Sequence, residues 1–309
     1  ERKLPVSEYF LFASARSAGK QLPFMSKTYT VRELTDDAFQ DLGIDIALFS
    51  AGGETSRHFA PIVAASGAVV IDNSSCWRMD PDVPLVVPEV NPDAIPGYKN
   101  KGIIANPNCS TIQAMVVLKP LADAYGLKRV VYSTYQAVSG AGQKGYMDLV
   151  NGLKGEAPQK FPHPIAGNCL PHIDVFLDTG YTKEEQKMID ETRKILSLPE
   201  LRVTATTVRV PVYHGHSESI NVEFARPFEL DELRAVLEKA PVSIVRSDEG
   251  ILIFLRFVLF SNAELPIFSR PSGKFSSCIS VQSKNALSSI VLSDEGSSTL
   301  RSDEQPANA

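Results

Sequence analysis

Uninterrupted apolar runs that end in small polar residues recur along the first part of the chain, and they constrain its fold more than any other feature. The runs occupy residues 9–14, 44–50, 68–72, 85–87 and 103–106, and residues 54–66 have helical spacing. Apolar strands that alternate with helices are typical of a parallel sheet covered on both faces. Ligands bind at the carboxyl ends of such strands, and most of these ends carry Ser, Gly or Asn, which suit a phosphate-rich ligand. We therefore expect an α/β fold with a doubly wound parallel sheet.

The pattern changes after Cys109, where helices and alternating strands are mixed. Helical spacing covers residues 111–125, 183–196 and 230–239, and strand-like alternation covers 129–137, 203–210 and 219–224. We expect Pro120 to kink or divide the first of these helices and Thr182 to cap the second. The mixture predicts an α+β domain. The expected organisation is a domain at 1–108, a second at 109–249 and a divergent tail at 250–309, irregular or disordered from Asn262.

Composition and charge exclude several classes of function. The chain has 31 Lys+Arg against 36 Asp+Glu, a formal net charge of −5, whereas nucleic-acid binding needs clustered basic residues. The dense apolar stretch at residues 250–260 is too short for a membrane span and carries Arg256. The four cysteines form no C-x-x-C pair, which predicts a reduced, cytoplasmic protein without a metal site. A small-molecule substrate is therefore the expected partner.

Cys109 lies between a predicted strand and a predicted helix, in the segment ANPNCST at residues 105–111. The N–H groups at a helix N-terminus favour a thiolate and lower the pKa of a thiol. A buried structural cysteine is the alternative, but the polar neighbours and the position favour a nucleophile. We therefore predict that Cys109 is a nucleophile with a lowered pKa.

Two histidines, His214 and His216, follow the predicted strand at 203–210 and lie among small residues. A histidine in such a place can exchange protons near neutral pH, and a cysteine with a distant histidine suits covalent catalysis. Taken alone, either histidine is more often a packed or surface residue, and spacing does not show that one of them meets Cys109.

Three charged side chains are candidates for an anion site, namely Arg78 and the helical pair Glu191 and Lys194. A solvated surface is the alternative for each of them. The sequence SGAG at residues 139–142 predicts a flexible loop whose glycines allow a ligand to approach the backbone closely.

Seven sequence blocks, in the same order, resemble the aspartate-β-semialdehyde dehydrogenases of the bacterial type. They are residues 13–20 (ASARSAGK), 47–53 (ALFSAGG), 69–79 (VVIDNSSCWRM), 86–91 (VVPEVN), 104–111 (IANPNCST), 133–142 (STYQAVSGAG) and 209–217 (RVPVYHGHS). The resemblance implies an incomplete Rossmann-like cofactor domain followed by an α+β catalytic and dimerisation domain. It also implies NADP- and phosphate-dependent interconversion of L-aspartate 4-semialdehyde and L-aspartyl 4-phosphate, in the pathway to lysine (through diaminopimelate), threonine and methionine.

The resemblance assigns roles to individual positions. Cys109 corresponds to the nucleophile that forms a thioacyl intermediate, His216 to the acid/base residue and Gln136 to a residue that orients the intermediate. The implied substrate-binding residues are Arg209 for the α-carboxylate, Glu191 for the amino group, Arg78 and Lys194 for phosphate, and Asn108. The implied NADP-binding residues are Ser14, Arg16, Ser17, Gly52, Ser139 and Gly140. An arginine after the strand at 9–14, where an acidic residue would bind a ribose diol, favours NADP over NAD.

The family begins with a central strand and a glycine-rich turn, and no G-x-x-G-x-x-G sequence precedes Tyr9 here. We therefore expect two inner strands of the sheet to lack a neighbour. A homodimer or a dimer of dimers is the expected assembly. Two alternatives stay open, a non-catalytic remnant of the family and a reductase of N-acetylglutamyl phosphate. Glu191 as an amine partner argues against the reductase, because an acetylated amine carries no charge.

Overall fold

The computed structural model describes residues 6–24, 27–240, 244–246 and 252–254. The chain divides into two compact units, one of residues 1–86 and 92–107 and one of residues 87–91 and 108–309. The tail predicted to be irregular, Asn262–Ala309, lies outside the described residues, and of 250–309 only a short strand at 252–254 is described.

Two three-stranded sheets form the first unit. Their strands are β1 (Leu11–Ala13), β2 (Gln21–Phe24), β3 (Lys27–Glu33), β4 (Ile46–Phe49), β5 (Val69–Asp72) and β6 (Ile103–Ala105). In the first sheet β3 lies between parallel β1 and antiparallel β2, and in the second β4, β5 and β6 are all parallel in that order. Helix α1 (Gly53–Ala65) connects β4 to β5, and a 3₁₀ helix (Pro92–Asn100) precedes β6.

The second sheet of this unit confirms the strands predicted at 44–50, 68–72 and 103–106, and the helix predicted at 54–66 is α1. Its strand β4 differs from the prediction of a fully covered sheet, because Ile46 is 61% and Leu48 is 71% exposed. Both β1 and β4 lie at an edge of their described sheets, as β2 and β6 do, so the expectation that two inner strands lack a neighbour stays a prediction. Residues 85–87 form only an isolated bridge, from Leu85 to Ala105, and not a strand.

The second unit is built on a three-stranded sheet with β7 in its centre. Its elements are α2 (Cys109–Tyr125), β7 (Leu127–Gln136), α3 (Gly142–Gly152), α4 (Lys183–Leu196), β8 (Arg202–Arg209), β9 (Ser217–Phe224), α5 (Leu230–Glu238), β10 (Ile244–Arg246) and β11 (Leu252–Phe254). Strand β7 is parallel to β8 and antiparallel to β9, and β10 pairs with β11. Helix α2 continues through Pro120, so of the two predicted effects the division is wrong and the kink stays a prediction. None of the described helices is long and apolar enough to cross a membrane.

Alternate residues of β7 form the buried face of this sheet, namely Val130, Tyr132, Thr134 and Gln136. Side chains of a strand alternate between its two faces, so the apolar face of β7 leads directly to the polar Gln136 at its end. The Tyr132 hydroxyl lies 2.8 Å from Oγ1 of Thr192 on α4, which places α4 over this face.

A capping box fixes the start of α4, as the position of Thr182 predicts. The Thr182 hydroxyl accepts the N–H of Glu185 at 3.3 Å, and Oε2 of Glu185 accepts the N–H of Thr182 at 2.7 Å. Oε1 of Glu185 also accepts the backbone N–H of Thr207 on β8 at 3.0 Å. The first turn of α4, which carries Glu184, is therefore tied to the sheet.

Candidate active site

Asn108 caps α2 and fixes the position of Cys109, the first residue of that helix. Oδ1 of Asn108 accepts the N–H groups of Ser110 at 2.9 Å and Thr111 at 3.3 Å. The backbone N–H of Asn108 donates to Oε2 of Glu191 at 2.6 Å. The candidate nucleophile therefore follows a residue whose main chain and side chain are both anchored.

Cys109 is exposed as a residue, although Asn108 and Ser110 on either side of it are buried and its sulfur is largely surrounded by protein. Burial in the surrounding protein raises the pKa of Cys109 to about 11, and the charge of Glu184 raises it further. The Ser110 N–H and the charge of Arg209 lower the pKa, but by less. The prediction of a lowered pKa is therefore wrong for this state, and the thiol must lose its proton to another group before it can attack.

Gln136 points its amide nitrogen towards the anchored end of α2. Its Nε2 donates to Oγ of Ser110 at 3.1 Å, and it lies 3.3 Å from both Oγ1 of Thr134 and Oε1 of Glu184. Gln136 is 1% exposed. These contacts hold the amide in one orientation beside the residue that follows Cys109.

His216 is held by its Nδ1, which accepts the backbone N–H of Ala137 at 3.0 Å. The neutral ring therefore carries its proton on Nε2. Burial and the charge of Arg209 lower the pKa of His216 to about 4, so the ring is neutral near pH 7. In this state Nε2–H can donate to a developing oxyanion. To accept a proton from the Cys109 thiol, the ring must first give up the hydrogen bond from the Ala137 N–H to Nδ1. The other candidate histidine, His214, packs against a tyrosine ring, with 5.6 Å between the centroids.

Arg209 at the end of β8 is 6% exposed and donates from Nη1 to the carbonyl of Ala137 at 2.8 Å. Its Nε is buried and has no hydrogen-bond partner in the described part of the chain. Burial lowers the pKa of Arg209, but a guanidinium stays charged at neutral pH. A buried guanidinium with an unused donor suits a planar anion such as a carboxylate.

The segment that contains Ser139 and Gly140 forms a 3₁₀ helix, Val138–Ala141, and not the predicted flexible loop. The N–H of Ser139 donates to the carbonyl of Tyr213 at 3.2 Å. A Cβ at Gly140 would lie 3.0 Å from Nη1 of Arg209 and 3.0 Å from Nε2 of His216. Glycine at this position therefore allows the backbone to approach both side chains closely.

Sequence reasoning missed a buried network on the first turn of α4. Nζ of Lys187 lies 3.1 Å from Oε2 of Glu184 and 2.9 Å from Oδ2 of Asp174. Oε1 of Glu184 accepts Nδ2 of Asn108 at 2.8 Å. Burial raises the pKa of Glu184, but Lys187 and the hydrogen bonds from Asn108 and Gln136 together hold it below its usual value. A carboxylate and an ammonium group therefore lie beside Asn108 and Gln136.

The predicted pair of Glu191 and Lys194 lies one to two turns further along α4. Glu191 is 1% exposed, and its carboxylate accepts the Asn108 main chain. Lys194 is half-buried in the last turn. This placement makes Glu191 a support for the α2 cap and does not favour contact with a substrate amine. The same Glu-x-x-Lys spacing occurs at 184 and 187, and only the capping box near Thr182 distinguishes the two pairs in the sequence.

The other predicted site residues belong to the first unit. Arg78 is 7% exposed, and its Nη2 donates to the carbonyl of Asn73 at 3.1 Å. Ser14 and Arg16 are exposed and Ser17 is half-buried, in the turn that follows β1. Gly52 precedes α1 with a φ of 93°, and a Cβ there would meet nothing within 4 Å. The second unit thus contains nine of the candidates, namely Asn108, Cys109, Gln136, Ser139, Gly140, Glu191, Lys194, Arg209 and His216, and the first unit contains Ser14, Arg16, Ser17, Gly52 and Arg78. No group of His, Cys, Asp or Glu in the described ranges could hold a metal ion.

Comparison with known families gives two matches along the chain. Residues 1–98 match the family described as "Semialdehyde dehydrogenase, NAD binding domain". Residues 118–254 match the family described as "Semialdehyde dehydrogenase, dimerisation domain". These matches confirm a nucleotide-binding domain followed by a dimerisation domain.

Comparison with individual proteins agrees with these matches. An aspartate-semialdehyde dehydrogenase of Aquifex aeolicus is 60% identical over 253 residues, 79% of this chain and 74% of that protein. One of Campylobacter jejuni is 51% identical over 256 residues, 80% of this chain and 74% of that protein. The structure of aspartate semialdehyde dehydrogenase II from Vibrio cholerae complexed with ASA has 50% identity and a TM-score of 0.73, and the match covers 78% of this chain and 73% of that one. The crystal structure of aspartate semialdehyde dehydrogenase with NADP from Candida albicans has 28% identity and a TM-score of 0.60, and the match covers 77% of this chain and 70% of that one. Because the chain matches both domain families and is 60% identical to one relative over 74% of that protein, it belongs to the aspartate-semialdehyde dehydrogenase family.

Proposed function

We propose that the chain interconverts L-aspartate 4-semialdehyde and L-aspartyl 4-phosphate, with inorganic phosphate and NADP, as a step of amino-acid biosynthesis. The observation that supports this proposal most directly is the cluster around Cys109. The thiol of an exposed residue at a helix start is combined with a neutral histidine, a buried arginine and a buried carboxylate in the second unit. This combination suits covalent acyl transfer of a substrate that carries both a carboxylate and an ammonium group.

Two charged groups are proposed to bind the ends of the amino-acid substrate. Arg209 pairs with the α-carboxylate, for which its unused buried Nε–H is available. Glu184 pairs with the α-ammonium group, because its carboxylate is held ionised beside Gln136. Glu184 thus replaces Glu191 in this role, while Lys187 takes the phosphate-binding role predicted for Lys194. Arg78 stays a proposed phosphate ligand.

Cys109 is proposed to give its thiol proton to the ring of His216, which must leave Ala137 to accept it, and to add to the aldehyde carbon of the semialdehyde. Once the hydride that NADP would accept has left that carbon, the acyl group stays on the sulfur as a thioester, and phosphate displaces the thiolate to release the acyl phosphate. A thioester is more reactive than a carboxylate, so the intermediate divides one difficult step into two. The Nε2–H of His216 stabilises the oxyanion that forms in each attack. Gln136, whose amide nitrogen is fixed by Ser110, orients the acyl group.

Residues of the first unit fit NADP. The backbone at Gly52 is open at the N-terminus of a 13-residue helix, and such an end binds phosphate groups. Ser14, Arg16 and Ser17 provide hydroxyl groups and a cation for the 2′-phosphate, and exposed Arg16 is the reason to prefer NADP over NAD. Ser139 and Gly140 are the proposed contacts in the second unit. When bound, NADP supplies hydride exchange with the acyl carbon.

The proposed assembly is a homodimer formed through the second unit. The match of residues 118–254 to a dimerisation domain supports this assembly. Light scattering of the purified chain at several concentrations tests it. A mass of one chain at every concentration contradicts the proposal, and a mass of four chains indicates a dimer of dimers.

The activity is tested by following NADPH formation with the semialdehyde, NADP and phosphate. We expect phosphate-dependent activity that Cys109→Ala abolishes. Cys169→Ala is the matched control, because Cys169 is also an exposed free thiol of the second unit. Full activity of the Cys109→Ala protein would refute the covalent mechanism. Activity with N-acetylglutamate semialdehyde above that with aspartate semialdehyde would favour the alternative substrate, for which Glu184 provides no partner.

A further inference from the structure

Glu218 is a buried carboxyl group beside the candidate active site, and no role has yet been assigned to it. It lies near the start of β9, two residues after His216, and pairs with Thr134 of β7. Its Oε1 accepts Nε2 of Gln113 at 2.7 Å. Gln113 lies one helical turn after Cys109 on α2, so Glu218 contacts the helix that carries the thiol.

The surroundings of Glu218 favour a neutral carboxylic acid over a carboxylate. Its Oε2 is buried and has no hydrogen-bond partner in the part of the chain that the structure describes. Among the described residues no lysine, arginine or histidine forms an ion pair with it. Two cations of the site have other partners, because Lys187 pairs with Glu184 and Arg209 donates to the carbonyl group of Ala137. A buried carboxylate without a counter-ion is strongly unfavourable.

The pKa of Glu218 agrees with this geometry. Burial raises it to about 8, and hydrogen bonds from Gln113 and Ser110 oppose this rise only in part. Near pH 7 the neutral form therefore predominates. Ionisation begins in the weakly alkaline range in which the enzyme can still be assayed.

Hydrogen bonds connect Glu218 to the residues around the thiol. The side chain of Ser110, which directly follows Cys109, lowers the pKa of Glu218 and therefore lies beside its carboxyl group, and Oγ of Ser110 accepts Nε2 of Gln136 at 3.1 Å. Ser110 is fully buried. Glu218 thus joins Ser110 and Gln113 of α2 to the amide of Gln136, and all three would shift if its carboxyl group were removed.

We propose that Glu218 is a positioning residue of the Cys109 site, which as a neutral acid holds Ser110 and Gln113 in place. In its ionised form the carboxylate hinders loss of the proton from the thiol. This proposal rests on the proposed function in one respect, namely that Cys109 is the nucleophile.

Charged and titratable groups reach this region from every neighbouring element. The charges that act on Cys109 are those of Glu184 from α4, Arg209 from β8 and Glu218 from β9. From β7, Tyr132 faces Glu218, whose charge raises the pKa of that phenol in addition to the larger effect of burial. His216 lies two residues before Glu218, just before the start of β9. Of these groups only Glu218 changes its charge near pH 8, so a change in thiol reactivity between about pH 7 and 9 reports on it.

The test is the rate at which iodoacetamide alkylates Cys109 in the full chain, followed by mass spectrometry of the Cys109 peptide from about pH 7 to 9. We expect Glu218→Gln, which mimics the neutral acid, to react as the wild type does at about pH 7. At about pH 9 it should react about 3- to 10-fold faster, since a nearby like charge shifts a thiol pKa by about 0.5–1 unit. Glu223→Gln is the matched control, because Glu223 lies on β9 but is exposed and pairs with Arg202 at 3.2 Å. An equal rate for Glu218→Gln and the wild type across the whole range overturns the proposal.

A second variant tests the positioning role directly. Glu218→Leu removes both hydrogen bonds, and we expect kcat/KM at about pH 7 to fall about tenfold or more, whereas Glu218→Gln stays within about twofold of the wild type. Wild-type kcat/KM in Glu218→Leu overturns the positioning role. If Glu218→Leu does not fold, the alkylation profile of Glu218→Gln still decides. Alkylation requires no turnover, so failure of the proposed function, seen as no activity in the wild type, is distinguishable from failure of this proposal.

Discussion

Replacement of Gly140 by alanine is expected to impair catalysis without unfolding the protein. Its new Cβ would lie 3.0 Å from Nη1 of Arg209 and from Cε1 and Nε2 of His216. Ordinary contacts of this kind are about 3.5–4 Å, so both side chains must move by about half an ångström. Neither is free to move, because each is hydrogen-bonded to Ala137, at 2.8 Å from Nη1 and 3.0 Å to Nδ1.

The magnitude follows from this displacement. A misplacement of about 1 Å in a catalytic group lowers the rate about a hundredfold, so about half of it should lower kcat about 3- to 30-fold. This corresponds to about 0.7–2 kcal/mol in activation free energy. The backbone of Gly140 does not lie in the left-handed region and its position is exposed. The free energy of unfolding should therefore change by less than about 1 kcal/mol.

The assay is kcat and KM for each substrate, together with urea unfolding. Gly97→Ala is the matched control, because a Cβ at Gly97 meets only Pro84, at an ordinary 3.6 Å. Wild-type kcat in the Gly140→Ala protein would refute the reasoning. A rise in the KM for NADP with an unchanged kcat would refute it too, because only the cofactor contact proposed for Gly140 would then remain and not its role as a spacer for Arg209 and His216.

Three further predictions concern carboxylates and the histidine. Glu184→Gln should lower kcat/KM for aspartate semialdehyde at least tenfold, whereas Glu191→Gln should change kcat/KM much less. Both should lower the free energy of unfolding by about 1–3 kcal/mol, because each weakens buried hydrogen bonds. Steady-state kinetics and urea titration measure the two effects separately, and equal kinetic losses would contradict the assignment. The pKa of His216 is lower in the folded than in the unfolded chain, so the unfolded state binds more protons, and the free energy of unfolding should fall as the pH drops from about 6.5 towards 4. His216→Asn should reduce this pH dependence in urea titrations. An unchanged pH dependence would contradict the prediction. Asp148→Asn should lower the melting temperature, because the carboxylate accepts three backbone N–H groups at 2.7–2.8 Å, and Asp231→Asn, on an exposed side chain, should not.

The parallel strands of the first unit were predictable, whereas β2 and β3 were not. Strands β4 to β6 are short apolar runs bounded by Gly, Ser, Asn or Asp, and their length and these flanking residues favour a strand over a helix. All four residues of β2 are exposed, and it contains Pro23, which is tolerated at a sheet edge. An edge strand without a buried face leaves no apolar period to detect. Helix α3 was missed for a related reason, because its glycines disfavour helix, although Gly145 allows it to pack tightly against Ala141.

At the candidate site, the position of the Cys109 thiol was predictable from the sequence, and the direction of its pKa shift was not. The sequence segment around Cys109 predicts a thiol at a helix start, since Asn108 is a good N-cap and follows a strand. The direction of its pKa shift depends on burial and on Glu184, which lies 75 positions away in the chain and meets it only after folding. The same limit explains the choice between Glu184 and Glu191. Both belong to a Glu-x-x-Lys pair on one helix, and only tertiary contacts decide which pair approaches Gln136.

The exposed edge of β4 bears on how the protein behaves in concentrated solution. Ile46 and Leu48 lie on one face of a strand that pairs with a single neighbour, β5, among the described strands. An apolar strand with free backbone donors and acceptors is a template for intermolecular sheet formation. Losses by precipitation should therefore rise steeply with protein concentration and with temperature. Leu48→Lys, which places a charge on this edge, should reduce the loss of purified protein by precipitation during storage. The activity at the Cys109 site should not change.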